Sequence, residues 1–372
     1  MPIFMDLHLV PGITAKGVAE AHVLDLNIQE EFQCSCMTYW VDEANQSAFC
    51  LIEAPNENAV RELHKRSHGL MPYNIIEVNK DAVTSFLGRL YDPEIPGMDK
   101  EELKVFNDPA YRSLVFVTST DEIILIKQIG EERSTQLLDR FYKIIKSKSS
   151  VFGGESVEHR EQVTSILCFF STQNSIGCAL EILQEFSGEE KDLLQLKISI
   201  NAGMPVSMSN RIFGDTIELG ERLLYTSNNH QVVVATHIED ISRKHLQDKG
   251  CEKILSLTPA NEKLLTRIFN ILESHSPDEN FGIEDLCTQV GLSKSSLNRH
   301  IQALTSRSPN ALLKEFRMNK SLKLLRDGDS ISNVAFSAGF RSPSYFSKCF
   351  KEHFALSPSY YVEQLKSRSI RT

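Results

Sequence analysis

The sequence predicts a multidomain chain: an α+β segment first, a mixed α/β segment in the middle, and an all-α segment at the end. Three observations predict it. Residues 1–90 read as strand, helix, strand, strand, helix, strand. Residues 110–255 alternate β-rich and helical runs, and from about Asn261 onward the β-rich runs vanish. The charge divides along the same lines. Of the net −9, residues 256–372 carry +5 and residues 1–255 carry −14. A basic end on an acidic body fits a nucleic-acid-binding segment joined to a sensing or assembly segment.

In the first segment Ile3–Val10 is β-rich, and Ala15–Phe32 has helical spacing through Val18, Ala21, Leu24 and Ile28. Cys34–Val41 and Phe49–Glu53 are strands about a turn near Asn45-Gln46. Asn56–His68 is a helix entered after Pro55, and Ile75–Val78 closes the set. That order predicts a ferredoxin-like sandwich. Residues 92–108 are acidic and hold two prolines, which marks 91–109 as a linker. In the middle, Leu114–Val117, Ile166–Phe170 and Leu196–Asn201 are strand-like, while Glu131–Lys148 and Ile176–Phe186 are helical.

Other classes are excluded. No apolar run approaches ~18 residues, so no membrane span is expected. The first residues lack the basic and apolar regions of a secretory signal. The eight cysteines are scattered without a C-x-x-C pair, which suits the reducing cytoplasm and argues against a disulfide framework. No P-loop, G-x-S-x-G or H-E-x-x-H motif occurs.

Within residues 262–367 one pattern appears twice. Ile283, Leu286, Cys287 and Val290 repeat at helical spacing, Gly291 ends that helix, Ser293 caps the next, and Leu297, Ile301 and Leu304 form its inner stripe. Ser330 then caps a helix bearing Ile331, Val334, Ala335 and Ala338; Gly339 turns the chain; Ser342-Pro343 starts a helix striped with Phe346, Phe350 and Phe354. A short helix, a tight turn and a second helix with an exposed face is a helix-turn-helix, and this is a tandem of two. Between them Asn310–Arg326 forms a helix with an apolar face. A rigid connector would hold the two reading helices about one DNA turn apart, roughly 34 Å. The series Arg317…Leu325, Ile331…Ala335…Gly339-Phe340…Tyr345-Phe346-Ser347…Phe350-Lys351…Ser357-Pro358 resembles the DNA-binding domain of the AraC/XylS family of regulators. The resemblance covers about 100 residues and implies double-stranded DNA as the partner. The outward positions of the two reading helices are the base-contact candidates: Lys294, Ser295, Asn298 and Arg299 in the first, and Arg341, Ser344, Ser347 and Lys348 in the second. Arg and Lys suit guanine, and Asn suits adenine. Lys314 and Lys351 are candidates for phosphate, and the phenylalanines belong to the core.

Histidine is unusually placed in the first segment. His64 and His68 share a face of one helix, and His8 ends the first strand two residues after Asp6. Imidazoles at i and i+4 can hold a transition metal, with nickel, copper and zinc all open; surface histidines on a plain helix show the same spacing. Residues such as Met5-Asp6-Leu7-His8, Thr38-Tyr39-Trp40, Phe49-Cys50-Leu51 and His64…His68-Gly69-Leu70 resemble a family of small ferredoxin-like proteins described as nickel-binding. That resemblance implies His8, His64 and His68 as ligands, with Asp6, Cys36 and Tyr39 as further candidates. It also implies a homodimer paired through its sheets.

The middle segment resembles a class III nucleotide cyclase domain, through Leu114-Val115-Phe116-Val117-Thr118, Gly153-Gly154, Ile198-Ser199-Ile200-Asn201 and Phe213-Gly214-Asp215…Glu221-Arg222. The chemistry of that fold needs two aspartates to hold two metal ions on a triphosphate. Thr118 occupies the first position, Glu161-Gln162-Val163 the second, and Glu218 replaces a sugar-positioning asparagine, while Arg222 matches a charge-stabilising arginine. Thr and Gln cannot replace carboxylates on a hard divalent cation, so no catalysis is expected. The sequence therefore predicts a cytoplasmic, sequence-specific DNA-binding regulator. Its N-terminal segments would sense a metal or small-molecule effector and set the dimer. The alternative is a nucleotide cyclase or metal-binding protein with an accessory DNA-binding domain.

Overall fold

The computed structural model describes residues 1–94, 103–157, 164–227, 231–239 and 253–369. The first segment forms β1 (Ile3–Leu9), α1 (Ala15–Ile28), β2 (Ser35–Asp42), β3 (Ser47–Glu53), α2 (Glu57–Ser67) and β4 (Asn74–Val78). The strands form one antiparallel sheet in the order β2-β3-β1-β4. Helix α3 (Lys80–Leu87) follows, in a stretch that the sequence reading left without structure.

Strand alternation gives this sheet two faces. Ile3, Met5, Leu7, Trp40, Phe49, Leu51, Ile76 and Val78 form one apolar face. Phe4, Tyr39, Val41, Ala48, Cys50 and Ile52 face the opposite side, where they pack with residues of α1 and α2. The expected stripe on α1 is corrected. Leu24 is 44% exposed, and the buried positions are Ala15, Val18, Ala19, His22 and Asp25. Two polar residues occupy the inward face, and reading hydrophobic periodicity alone turned the helix away from them.

The middle segment forms β5 (Arg112–Thr118), α4 (Glu122–Ile129), α5 (Glu131–Val151), β6 (Glu155–Val157), β7 (Thr164–Phe169), α6 (Thr172–Glu185), α7 (Gly188–Leu194), β8 (Lys197–Gly203), α8 (Gly214–Leu223), β9 (Val232–Val234) and β10 (Ile254–Ser256). The sheet order is β10-β9-β8-β5-β7-β6, with β5 antiparallel to both neighbours. Leu114, Phe116, Ile166 and Cys168 share one buried cluster with the apolar face of the first sheet. The two sheets thus join face to face within one chain. The face that the family resemblance gives to a second copy is covered here by the middle segment, because its own sheet offers a matching apolar surface. Residues 103–108 run along β2. The Val41 N–H donates to the Asp108 carbonyl (3.1 Å), the Tyr39 hydroxyl donates to the Lys104 carbonyl (2.8 Å), and Phe106 stacks on Tyr39.

Seven helices complete the chain: Pro259–Ser274, Ile283–Val290, Lys294–Thr305, Pro309–Arg326, Ile331–Ser337, Pro343–Phe354 and Pro358–Ser369. Six of these helices start at a Ser or Thr side chain that accepts a backbone N–H: Thr258, Ser293, Ser308, Ser330, Ser342 and Ser357. Among the described residues, no helix is long and apolar enough to cross a membrane.

Candidate nucleic-acid interface and metal centre

Each helix-turn-helix is built on a buried stripe. Leu297, Ile301 and Leu304 anchor the helix Lys294–Thr305. Phe346 and Phe350, both with no exposure, anchor Pro343–Phe354. The turns have left-handed glycines, Gly291 at φ +72° and Gly339 at φ +79°. Gly339 carries a second constraint. A Cβ there would sit 2.4 Å from the Ser276 carbonyl and 2.9 Å from Arg317 Nε. The Arg317 guanidinium in turn donates to the Asp278 and Phe281 carbonyls. Three stretches of chain therefore close on a position where only glycine fits.

Anchoring the stripes leaves the opposite faces outward. Lys294, Ser295, Asn298, Arg299, Arg341, Ser344 and Lys348 are exposed, and Ser347 is half-buried. Tyr345, 55% exposed on the second reading helix, is a further outward residue that the contact candidates did not include. Lys351 is also exposed, whereas Lys314 pairs with Glu352 at 3.4 Å.

The first segment gathers its polar residues between the sheet and the two helices. β1 supplies Asp6 and His8, β3 Cys50, α1 Asp25, α2 His64, and the C-cap of α2 His68. His64 Nε2 lies 2.7 Å from Asp6 Oδ2, and its Nδ1 lies 3.2 Å from Asp25 Oδ2 and 3.1 Å from His68 Nε2. Asp6 also accepts the Cys50 backbone N–H, and Ser67 donates to Asp25. Two ligand sets result, Asp6–His8–Cys50–His64 and Asp25–His64–His68, sharing His64 through opposite ring nitrogens.

Electrostatics favour a cation here. Burial would lower the His64 pKa, but Asp6 and Asp25 outweigh it and push it up to about 10. Burial would raise the Asp6 and Asp25 carboxyls, yet the histidines hold both well below the usual range. Burial and the nearby carboxylates push the Cys50 thiol up, and Cys36 likewise. His8 is 4% exposed, and among the described residues neither of its ring nitrogens has a hydrogen-bond partner. Its Nε2 comes within 3.3 Å of Asp6 Oδ1 without hydrogen-bond geometry. A buried imidazole without a hydrogen-bond partner, next to the Asp6 carboxylate, the Cys50 thiol and the His64 ring, fits a transition cation. His68 fits less directly, because its Nδ1 accepts the Leu70 N–H, which leaves the proton on Nε2 in the neutral ring.

The structure brings His8, His64, His68 and Asp6 together. Tyr39 commits its hydroxyl to Lys104 instead. Asp25 and Cys50 escaped the sequence reading, as did a neighbouring pair, His22 and Asp92 (3.4 Å). The signal for Asp25 and His22 was present: two polar residues continuing the helical spacing of Ala15, Val18 and Ala19.

In the middle segment Thr118 is paired in register with Thr164 and Lys197. Arg222 is buried and pairs with Glu218 (3.5 Å) and with Glu273 of the helix Pro259–Ser274 (2.9 Å). Glu161, Gln162 and Val163 lie outside the described residues.

Comparison with known proteins divides the chain in the same way. Residues 286–364 match a family model described as a helix-turn-helix domain, and residues 4–78 match one described as nickel responsive protein SCO4226-like. A histidine kinase P4 from Formosa agariphila is 33% identical over 29% of this chain and 8% of its own length. The HTH-type transcriptional regulator MtrA of Neisseria gonorrhoeae is 31% identical over 24% of this chain and 30% of its own. The solved structure of SCO4226 from Streptomyces coelicolor is 33% identical, covering 20% of this chain and 94% of that one, with a TM-score of 0.19. The chain spans 8–40% of the length of the curated relatives it matches. Residues 286–364 are thus similar to AraC-type helix-turn-helix domains, and residues 4–78 to the SCO4226-like nickel responsive family.

Proposed function

We propose that this protein is a cytoplasmic transcription regulator that reads double-stranded DNA with two helix-turn-helix heads and senses a divalent transition metal through its first segment. The observation that carries the reading is the pair of helices, Lys294–Thr305 and Pro343–Phe354, each anchored by a buried stripe and open to solvent on its outer face. Arg299, Asn298, Lys294 and Ser295 would meet one stretch of major groove, and Arg341, Ser344, Ser347 and Lys348 the next. His8, His64, Asp6 and Cys50 would hold the cation, with His68 and Asp25 on the other side of His64. Imidazole with thiol and carboxylate suits nickel, and equally zinc or copper. A bound cation would replace the proton held between His64 and its carboxylates.

We read the βαββαβ segment as ferredoxin-like, and the middle segment as a cyclase-like fold without the chemistry, so no enzymatic role is assigned. Lys197 beside Thr118, and an Arg222 already paired with two glutamates, support that reading. A homodimer would have to use a surface other than the covered sheet face. Titrating nickel into the protein on a duplex it selects tests the sensing role: DNA affinity should change, and an unchanged affinity removes that role. Turnover of ATP or GTP with manganese would favour the enzyme instead.

A further inference from the structure

The middle segment touches the two reading heads at separate places. On one side, Arg222 pairs with Glu273, Arg307 donates to the Tyr225 carbonyl (3.1 Å), and Asn319 donates to the Tyr225 hydroxyl (3.1 Å). The core of the first head runs without a break into the middle segment's own core. On the other side, Ile123 and Ile124 of α4 enter the core of the second head. Beside them Asp121, 6% exposed, accepts from Arg326 and from the Tyr361 hydroxyl (2.7 Å), and Arg326 Nε donates to that same hydroxyl (3.0 Å). Tyr361 is fully buried. Arg326 ends the connecting helix, and Tyr361 lies on the last helix of the module.

We infer that the middle segment is a splint: by gripping both heads it fixes the angle between them, with Asp121 as the positioning residue at the second head. Within the module the heads are joined by the connecting helix Pro309–Arg326 and at the Gly339 turn, which closes on Ser276 and Arg317, and bending about that one joint is the freedom that remains. A body attached to both removes that freedom. The grip leaves the reading faces open, since seven of the eight candidate base-contact residues stay exposed. The inference rests on the DNA-reading proposal for its consequence, but not for the grip itself.

Asp121 has two separable jobs. Its Oδ1 accepts the backbone N–H groups of Ile123 and Ile124 and caps α4, while Oδ2 faces Arg326 and Tyr361. Asp121→Asn keeps an oxygen for the cap and turns a donor toward two donors. In the full chain without DNA, amide hydrogen exchange over residues 331–369 should speed up by about tenfold or more, the loss expected when a charged hydrogen bond is broken. On a duplex selected by the wild-type protein from a random pool, wild type should lose affinity by about tenfold when two extra base pairs are inserted between the half-sites, a turn of roughly 70°. Asp121→Asn should show a clearly smaller spacing penalty. Tyr361→Phe, a milder lesion, should shift both readouts the same way and serves if the first variant does not fold. Unchanged exchange, or an unchanged spacing penalty, overturns the splint. A wild-type protein that selects no duplex would refute DNA reading, and the exchange data would still decide the grip.

Discussion

Among the described residues neither ring nitrogen of His8 has a hydrogen-bond partner, although the side chain is almost wholly buried and Asp6 Oδ1 lies 3.3 Å from Nε2 without hydrogen-bond geometry. An unsatisfied buried polar group costs about 1–3 kcal/mol, so a residue kept there for stability alone would be apolar. His8→Leu should therefore leave the metal-free protein as stable as before, or up to about 1 kcal/mol more stable in urea titrations. It should also weaken nickel binding by calorimetry at least about tenfold, as expected when a donor is removed from a metal site. A stability loss with intact metal affinity would contradict that role. The glycines make a second residue-scale prediction. Gly291→Ala meets open space and should cost about 1–2 kcal/mol, the strain of a left-handed alanine. Gly339→Ala adds the contact with Ser276 and Arg317 and should cost clearly more in the same assay. Sequence showed both glycines as turns, but the crossing at Gly339 depends on residues 63 and 22 positions away, which no local pattern carries.

At the scale of elements, the reading helices were the most legible part. Their caps, stripes and turn glycines are local signals, and each falls where the spacing puts it. The site helix α1 was the least legible, because His22 and Asp25 occupy positions where periodicity expects apolar side chains. Buried polar pairs, Asp25 with His64 and His22 with Asp92, broke the pattern from which the face was read. Short strands near helix-rich stretches also hid α3, whose Asn79 cap and Gly88 C-cap are plain in retrospect. Two substitutions, one on each reading helix, separate base reading from phosphate contact. Arg299→Ala should cost about 1–3 kcal/mol and relax specificity at one base pair in a binding titration. Lys351→Ala should weaken binding evenly across sequences and lower the salt slope by about 1. Equal effects of both on every duplex would place Arg299 on phosphate.

Across the whole molecule, two sheets share one apolar interface, and the middle segment then reaches both heads. Composition hinted at a division of labour through the uneven charge, but not at which surfaces meet, since contacts between segments leave no periodic trace. Phe116 stands at the centre of this arrangement, buried from the first sheet's side and in contact with the Gly220 backbone, where a Cβ would come within 2.0 Å of its ring. Phe116→Ala should cost about 3–5 kcal/mol by the usual scale of core truncation. It should lower the melting of the first and middle segments together. Independent melting would mean that the two sheets do not support each other.

The most direct test is selection of duplexes from a random pool by the purified full chain at moderate salt, followed by equilibrium titration of the winner. The account predicts paired half-sites about one helical turn apart, bound at least about 1,000-fold tighter than random duplex. Binding that is equal for all sequences, with and without nickel, would contradict it.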